Sequence, residues 1–183
     1  MTDTATQTAE VLRFWFEEST PQQHFTKDPV FDAAIRDRFL TLYEDLAANG
    51  TDRFRGSADG ILAAILVLDQ FSRNMFRDDP RAFAEDSQAR ALTKYAIENG
   101  IDMKVPDDRR VFIYMPLMHS EDLADHDLSL KVFDALGNAE SYKYAVAHRD
   151  IIARFGRYPH RNAVLGREST PEEEAHFREH GGF

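Results

Sequence analysis

Cysteine does not occur among the 183 residues, which excludes disulfides, thiolate nucleophiles and cysteine metal sites. A reducing compartment fits that absence. Basic residues are outnumbered, 22 Lys and Arg against 32 Asp and Glu, leaving a formal charge of -10. Neutralising phosphates takes a basic surface, which an acidic protein offers only locally, so nucleic acid is not an expected partner. Long apolar runs are missing too: the longest, ILAAILVL at residues 61–68, falls far short of the roughly 20 residues that span a bilayer. The opening MTDTATQTAEVLRFWF has neither the basic start nor the apolar run of a secretory signal. The reading is a soluble cytoplasmic protein with no membrane partner.

Catalytic signatures are equally absent. There is no G-x-S-x-G nucleophile elbow, no G-x-x-x-x-G-K-S/T phosphate loop, no H-E-x-x-H zinc helix and no G-x-G-x-x-G dinucleotide turn, and no cofactor is expected. No stretch rich in Gly, Ser or Pro divides the chain, so residues 1–183 are read as one domain. Its 43% apolar content supports a sizeable core.

What is present is helical spacing and aromatic bulk. Fourteen Phe and one Trp imply a core dominated by rings. Phe31, Ile35, Phe39, Leu42 and Leu46 step by four, four, three and four, one stripe of a helix. Asp28 before Pro29 is an N-cap with proline in the first turn, and Gly50 closes the segment. Asp79 and Pro80 open another segment that Gly100 closes; Thr170, Pro171 and Glu173 form a capping-box start. Helices are predicted near residues 6–18, 29–49, 58–77, 80–99, 107–119, 121–136, 138–155 and 171–179. The short connections predict an all-α stack of antiparallel helical hairpins, and helix pairs of similar length would suit a degenerate solenoid.

Three polar residues interrupt stripes that otherwise face inward. Asp69 continues the Leu62, Leu66 line, with Arg73 one turn later, an i, i+4 ion pair by spacing. His119 continues the line of Phe112 and Met115. His148 lies between Tyr144 and the Ile151, Phe155 positions. With Gln70, Asn74, Ser120, Glu121 and Asp122 beside them, they are candidates for a shared polar cavity. Asp69, His119 and His148 have no diagnostic metal spacing, and no metal is expected.

RFGRYPHRNAVLGREST, residues 154–170, concentrates positive charge in an acidic chain. Gly156, Pro159 and Gly166 predict an irregular excursion there. Arg154, Arg157, His160, Arg161, Asn162 and Arg167 then read in two ways. Arginine forks hold carboxylates or phosphates bidentately, which makes an anion clamp. Alternatively these arginines pair with Asp69, Glu121, Asp122, Asp150 and Glu168 and pin the C-terminal segment. Glu172, Glu173 and Glu174 read as helix-capping and dipole-compensating residues.

VLRFWFEES at 11–19, LDQFSRNMFRDDPRAFAEDSQARAL at 68–92, YMPLMHSEDLADHDLSLKVF at 114–133 and HRDIIARFGRYPHRNAVLGRESTPEE at 148–173 resemble a widespread bacterial family known only as domain of unknown function 924. That resemblance implies an all-helical fold related to tetratricopeptide repeats, and implies no activity, substrate or cofactor. The family pattern carries Pro where this chain has Ser72.

Three functions follow as expectations. The first is a binding module for an anionic small molecule or peptide. The second is an enzyme with His119 or His148 as general base or acid, oriented by Asp69 or Glu121. The third is a structural partner docking through Phe14, Trp15 and Phe16, unless those rings simply fill the core. The sequence leaves the oligomeric state open.

Overall fold

In the computed structural model, residues 3–181 are described, and among them all regular structure is helical. That all-α architecture is compatible with the predicted hairpin stack. The chain resolves into two compact units, the first running to Arg77 and over Arg81–Pro116, the second comprising Asp78–Pro80 and the residues from Leu117 onward.

In the first unit, α1 (Thr4–Arg13) starts where Asp3 accepts a hydrogen bond from the Thr6 amide. It continues as a π-helical segment, Phe14–Glu18. A capping box of Thr20 and Gln23 opens the short α2 (Pro21–Phe25). The long α3 (Pro29–Asn49) begins where the Asp28 carboxylate accepts from the amides of Val30 and Phe31, and it buries the predicted stripe of Phe31, Ile35, Phe39, Leu42 and Leu46. The central strut is α4 (Ala58–Ile65), a second π-helical segment (Leu66–Phe71) and α5 (Ser72–Met75). Every residue from 60 to 72 is buried, as expected of a helix enclosed on all sides. It packs against α1 and α3 and against α6 (Asp86–Glu98).

The two π segments bring Trp15 and Phe71 to 5.4 Å, with Phe14, Phe31, Phe39 and Phe112 completing the aromatic cluster. Widening to i→i+5 bonding lets consecutive large residues share the interior, and both Phe14 and Trp15 are buried. At Ser72 the hydroxyl donates to the Leu68 carbonyl at 2.7 Å and lies 3.1 Å from the Ala82 carbonyl.

The helix predicted from residue 80 starts later. Residues Pro80–Ala82 form a single 3-10 turn, and α6 begins at Asp86. The Tyr43 hydroxyl donates to the Arg81 carbonyl and Ser72 reaches that of Ala82, so side chains take the carbonyls that a continuous helix would use. Helix α7 (Asp107–Met118) contains Pro116, where the first unit ends. No described helix is long and apolar enough to cross a membrane.

In the second unit, α8 (Leu123–Leu136) is capped by Asp122 and α9 (Ala139–Phe155) by Asn138. The two pack together across Gly137. Gly137 and Gly156 hold φ of 73° and 69°, the left-handed geometry that ends helices without a Cβ penalty. The predicted irregular stretch follows, containing one 3-10 turn, Pro159–Arg161, against which α10 (Pro171–His180) packs.

A Cβ on Gly60 would sit 2.4 Å from the Phe54 carbonyl oxygen, whereas one on Gly56 meets nothing within 4 Å. Gly60→Ala is expected to lower stability by about 1–3 kcal/mol through overpacking, and Gly56→Ala by no more than about 0.5 kcal/mol. Urea denaturation of the two variants checks the ranking.

Candidate functional site

The second unit is organised around Tyr158, whose ring is almost fully buried. Its amide donates to Glu121 Oε1 at 2.8 Å, its carbonyl accepts from Arg167 Nη2 at 3.2 Å, and its hydroxyl donates to the Met118 carbonyl. Backbone and ring are thus fixed independently. Around the ring lie the Arg161 guanidinium at 4.6 Å and the rings of His160, His148 and His126 at 5.3, 5.9 and 6.3 Å. Arg161 is itself buried and donates to the His119 carbonyl at 3.0 Å. The His119 ring, partly exposed, stands 6.3 Å from that of His148.

The histidines differ in what they have to offer. His148 donates Nδ1–H to the Tyr144 carbonyl one turn back, at 2.7 Å. Burial first, then the nearby His119, push its pKa down from 6.5 to about 3, with His126 and His160 adding to the effect. His126 donates Nε2–H to the Ser120 carbonyl at 2.8 Å. Its Nδ1 is buried without a partner, as is the Ser129 hydroxyl three residues on. Burial lowers the His126 pKa as well, against the opposing Ser120 bond. Ser120 in turn donates to Asp125 at 2.7 Å.

Arg154, Arg157 and Arg167 each hold a carboxylate. Arg157 holds Glu173 with two bonds of 2.7 and 2.9 Å and also reaches the Glu168 carbonyl. Arg167 holds Glu121 with bonds of 2.7 and 2.9 Å and donates Nε–H to Asn162 Oδ1. Arg154 pairs with Glu172 at the surface. Asn162, buried, passes its amide to Ser169 at 3.0 Å. The Arg157 bond holds Glu173 well below the usual carboxylate range, at about 2, against the effect of burial and with help from the Thr170 amide. For Glu121, burial works to raise the pKa and is outweighed by Arg167 and the Tyr158 amide, so the net shift is downward.

Asp69, Arg73 and Asn74 lie in the first unit. The i, i+4 pair is present, with Arg73 Nη1 3.2 Å from the fully buried Asp69, which also accepts from Gln70 at 2.7 Å. Arg73 makes two 3.0 Å bonds to Asp86, and Asn74 donates to Asp32 at 2.8 Å. His119, Glu121, His148, Arg154, Arg157, His160, Arg161, Asn162 and Arg167 all belong to the second unit. Tyr158 and His126 went unmarked by the sequence reading. Tyr158 sits in the middle of RFGRYPHRN, and His126, Ser129 and Phe133 step by three and four, a stripe on which a histidine interrupts the buried face. Among the described residues no three His, Asp or Glu side chains converge so as to hold a metal ion.

Fold and site together define an all-helical protein whose C-terminal unit gathers histidines and one arginine about a buried tyrosine. The sequence profile of the family described as bacterial protein of unknown function, DUF924, matches residues 11–181, and the chain belongs to that family. It is similar to a protein of unknown function from Agrobacterium tumefaciens of solved structure, with 40% identity, a TM-score of 0.91, and coverage of 97% of this chain and 99% of that one. No curated protein matches significantly.

Glu173 is buried while the Arg154–Glu172 pair is exposed on both sides. Glu173→Gln is expected to lower the Tm clearly more than Glu172→Gln, since exposed pairs contribute little. Equal Tm values would contradict the assignment of Glu173 as the fastening. The pH dependence has one sign for both shifted groups. His148 and Glu173 have lower pKa values folded than their ordinary 6.5 and 4.5, so the unfolded chain binds more protons and stability drops as the pH is lowered. The His148 contribution is complete above about pH 6.5 and is lost from there towards 3, and that of Glu173 is lost from about 4.5 towards 2. Melting curves between pH 7.5 and 4 are expected to show the first decline, and His148→Gln to flatten it.

Proposed function

We propose that the protein is a binding module whose second unit takes an oxyanion, the carboxylate or phosphate of a small molecule or acidic peptide. The observation that carries this reading is the gathering of Arg161, His160, His148 and His119 about Tyr158. Arg157, Arg167 and Arg154 hold internal glutamates and serve as fastenings, and Arg161, bonded to the His119 carbonyl and 4.6 Å from the Tyr158 ring, is the guanidinium that stands with the histidines. Histidine and arginine are the side chains that offer directional N–H donors to an oxyanion. A guanidinium stacked on an aromatic ring keeps its N–H edge oriented.

The same geometry weighs against general-base catalysis by His148. A base works best with a pKa near the operating pH, and burial holds this one at about 3. Docking through the FWF run is disfavoured because Phe14 and Trp15 are inside the core.

The test is a thermal-shift titration of tag-free protein with inorganic phosphate, acetate and an acidic peptide, each against chloride at matched ionic strength. A bound anion at 100 times its Kd is expected to add about 2.7 kcal/mol. The gain should disappear in Arg161→Gln and His119→Ala variants whose circular dichroism matches the wild type. Stabilisation no greater than that of chloride for all three would overturn the proposal.

A further inference from the structure

Helix α10 carries a second group of ligand-type side chains, which shares no residue with the cluster about Tyr158. Glu172, His176 and His180 step by four along PEEEAHFREH, which places them on one stripe of the helix. The His176 and His180 rings are stacked, 4.5 Å apart and 21° from parallel. His180 gives its Nδ1–H to the His176 carbonyl at 3.2 Å, which leaves the lone pair on its Nε2. His176 Nδ1 is closed off from solvent and has no hydrogen-bond partner. No bond at that nitrogen holds the His176 ring to one tautomer.

Both rings line a cavity of about 420 Å³ between α9 and α10, with Asp150, Ile151, Arg154 and Phe155 on the α9 side. Phe155 backs the His176 ring at 5.1 Å. The surrounding charge favours a cation: Glu179 lies 4.0 Å from the His180 ring, Asp150 faces the same cavity, and Arg154 is held by Glu172 at 2.8 Å. Two imidazoles one helical turn apart are a chelate, because each brings one nitrogen and the helix sets the spacing. The donor type selects the ion. Imidazole suits copper, nickel and zinc, whereas magnesium and calcium are held by oxygens.

We propose that His176 and His180 form a two-point site for a divalent transition-metal ion, copper or zinc, with water completing its coordination. Among the described residues no third His, Asp or Glu converges on the pair, so the remaining positions belong to solvent or to a small ligand. His180 is exposed and held by a single bond to backbone, so its Nε2 can turn to the ion without repacking the core. An ion shared by residues four apart is held only while the turn between them is helical, so binding stabilises the last turn of α10.

The test is isothermal titration of tag-free protein, stripped of metal with a chelator, with the chlorides of Cu²⁺, Zn²⁺ and Mg²⁺ in a buffer that does not bind them. Copper and zinc are each expected to bind at one ion per chain, and magnesium not at all. With copper kept substoichiometric, electron paramagnetic resonance is expected to show two imidazole nitrogens on the ion. His176→Ala and His180→Ala should each weaken zinc binding by at least about tenfold, a loss that even the outer neighbours of metal ligands cause. Phe177→His combined with His180→Ala keeps the number of histidines but takes them off one stripe, and it should bind no better than His180→Ala alone. Circular dichroism matching the wild type qualifies each variant. Zinc binding that is absent from the wild type, that survives His180→Ala, or that is restored by Phe177→His would overturn the site, as would a copper spectrum unchanged in His176→Ala.

Discussion

A buried carboxylate on α10 sets the geometry of the whole C-terminal half of the second unit. Removing a carboxylate from water is costly unless its oxygens are met by donors, and Glu173 is met by the two-pronged Arg157 and the Thr170 amide. The same side chain completes the capping box that starts its helix. One residue therefore both begins α10 and ties it to the position just beyond the glycine turn that ends α9. With Arg157 fixed, Tyr158 next to it is presented with its amide to Glu121 and its carbonyl to Arg167, and the short turn Pro159–Arg161 follows from a defined start.

Much of the positive charge gathered in residues 154–170 is balanced inside the unit. Arg154, Arg157 and Arg167 balance Glu172, Glu173 and Glu121. These pairs differ in what they do for the fold. The Arg154 pair is solvated and contributes little, whereas the other two are linked through Asn162, which accepts from Arg167 and lies within 3.4 Å of Glu173. A linked network of fixed charges gives an irregular segment the single conformation that a regular hydrogen-bond ladder would otherwise supply.

Much of the helical framework was legible in the sequence, because its signals are local. The bounds of α3 follow from Asp28, Pro29, the five-residue stripe and Gly50, all read within one segment. The start of α10 follows from Thr170, Pro171 and Glu173. The π-helical stretches were not legible: a helix enclosed on every side, as over residues 60–72, has no polar face to mark its period. The late start of α6 was hidden for another reason, since Tyr43 and Ser72 reach the carbonyls of Arg81 and Ala82, ahead of it, from distant positions. The candidate site was half readable. Interrupted stripes and the basic segment picked out His119, His148 and Arg161, but not that Arg157 would choose Glu173, 16 residues away. Glu173 was assigned its capping role alone, and only packing gives it the second.

The second unit separates two kinds of positive charge. Arginine is cationic at every pH the protein meets, and Arg154, Arg157 and Arg167 are each used in a pair with a glutamate. The rings of His148 and His160 and the Arg161 guanidinium stand about the Tyr158 ring, with His119 beside His148. Because burial keeps the His148 imidazole neutral, that ring can be enclosed without the internal counterion that Arg157 and Arg167 find in Glu173 and Glu121.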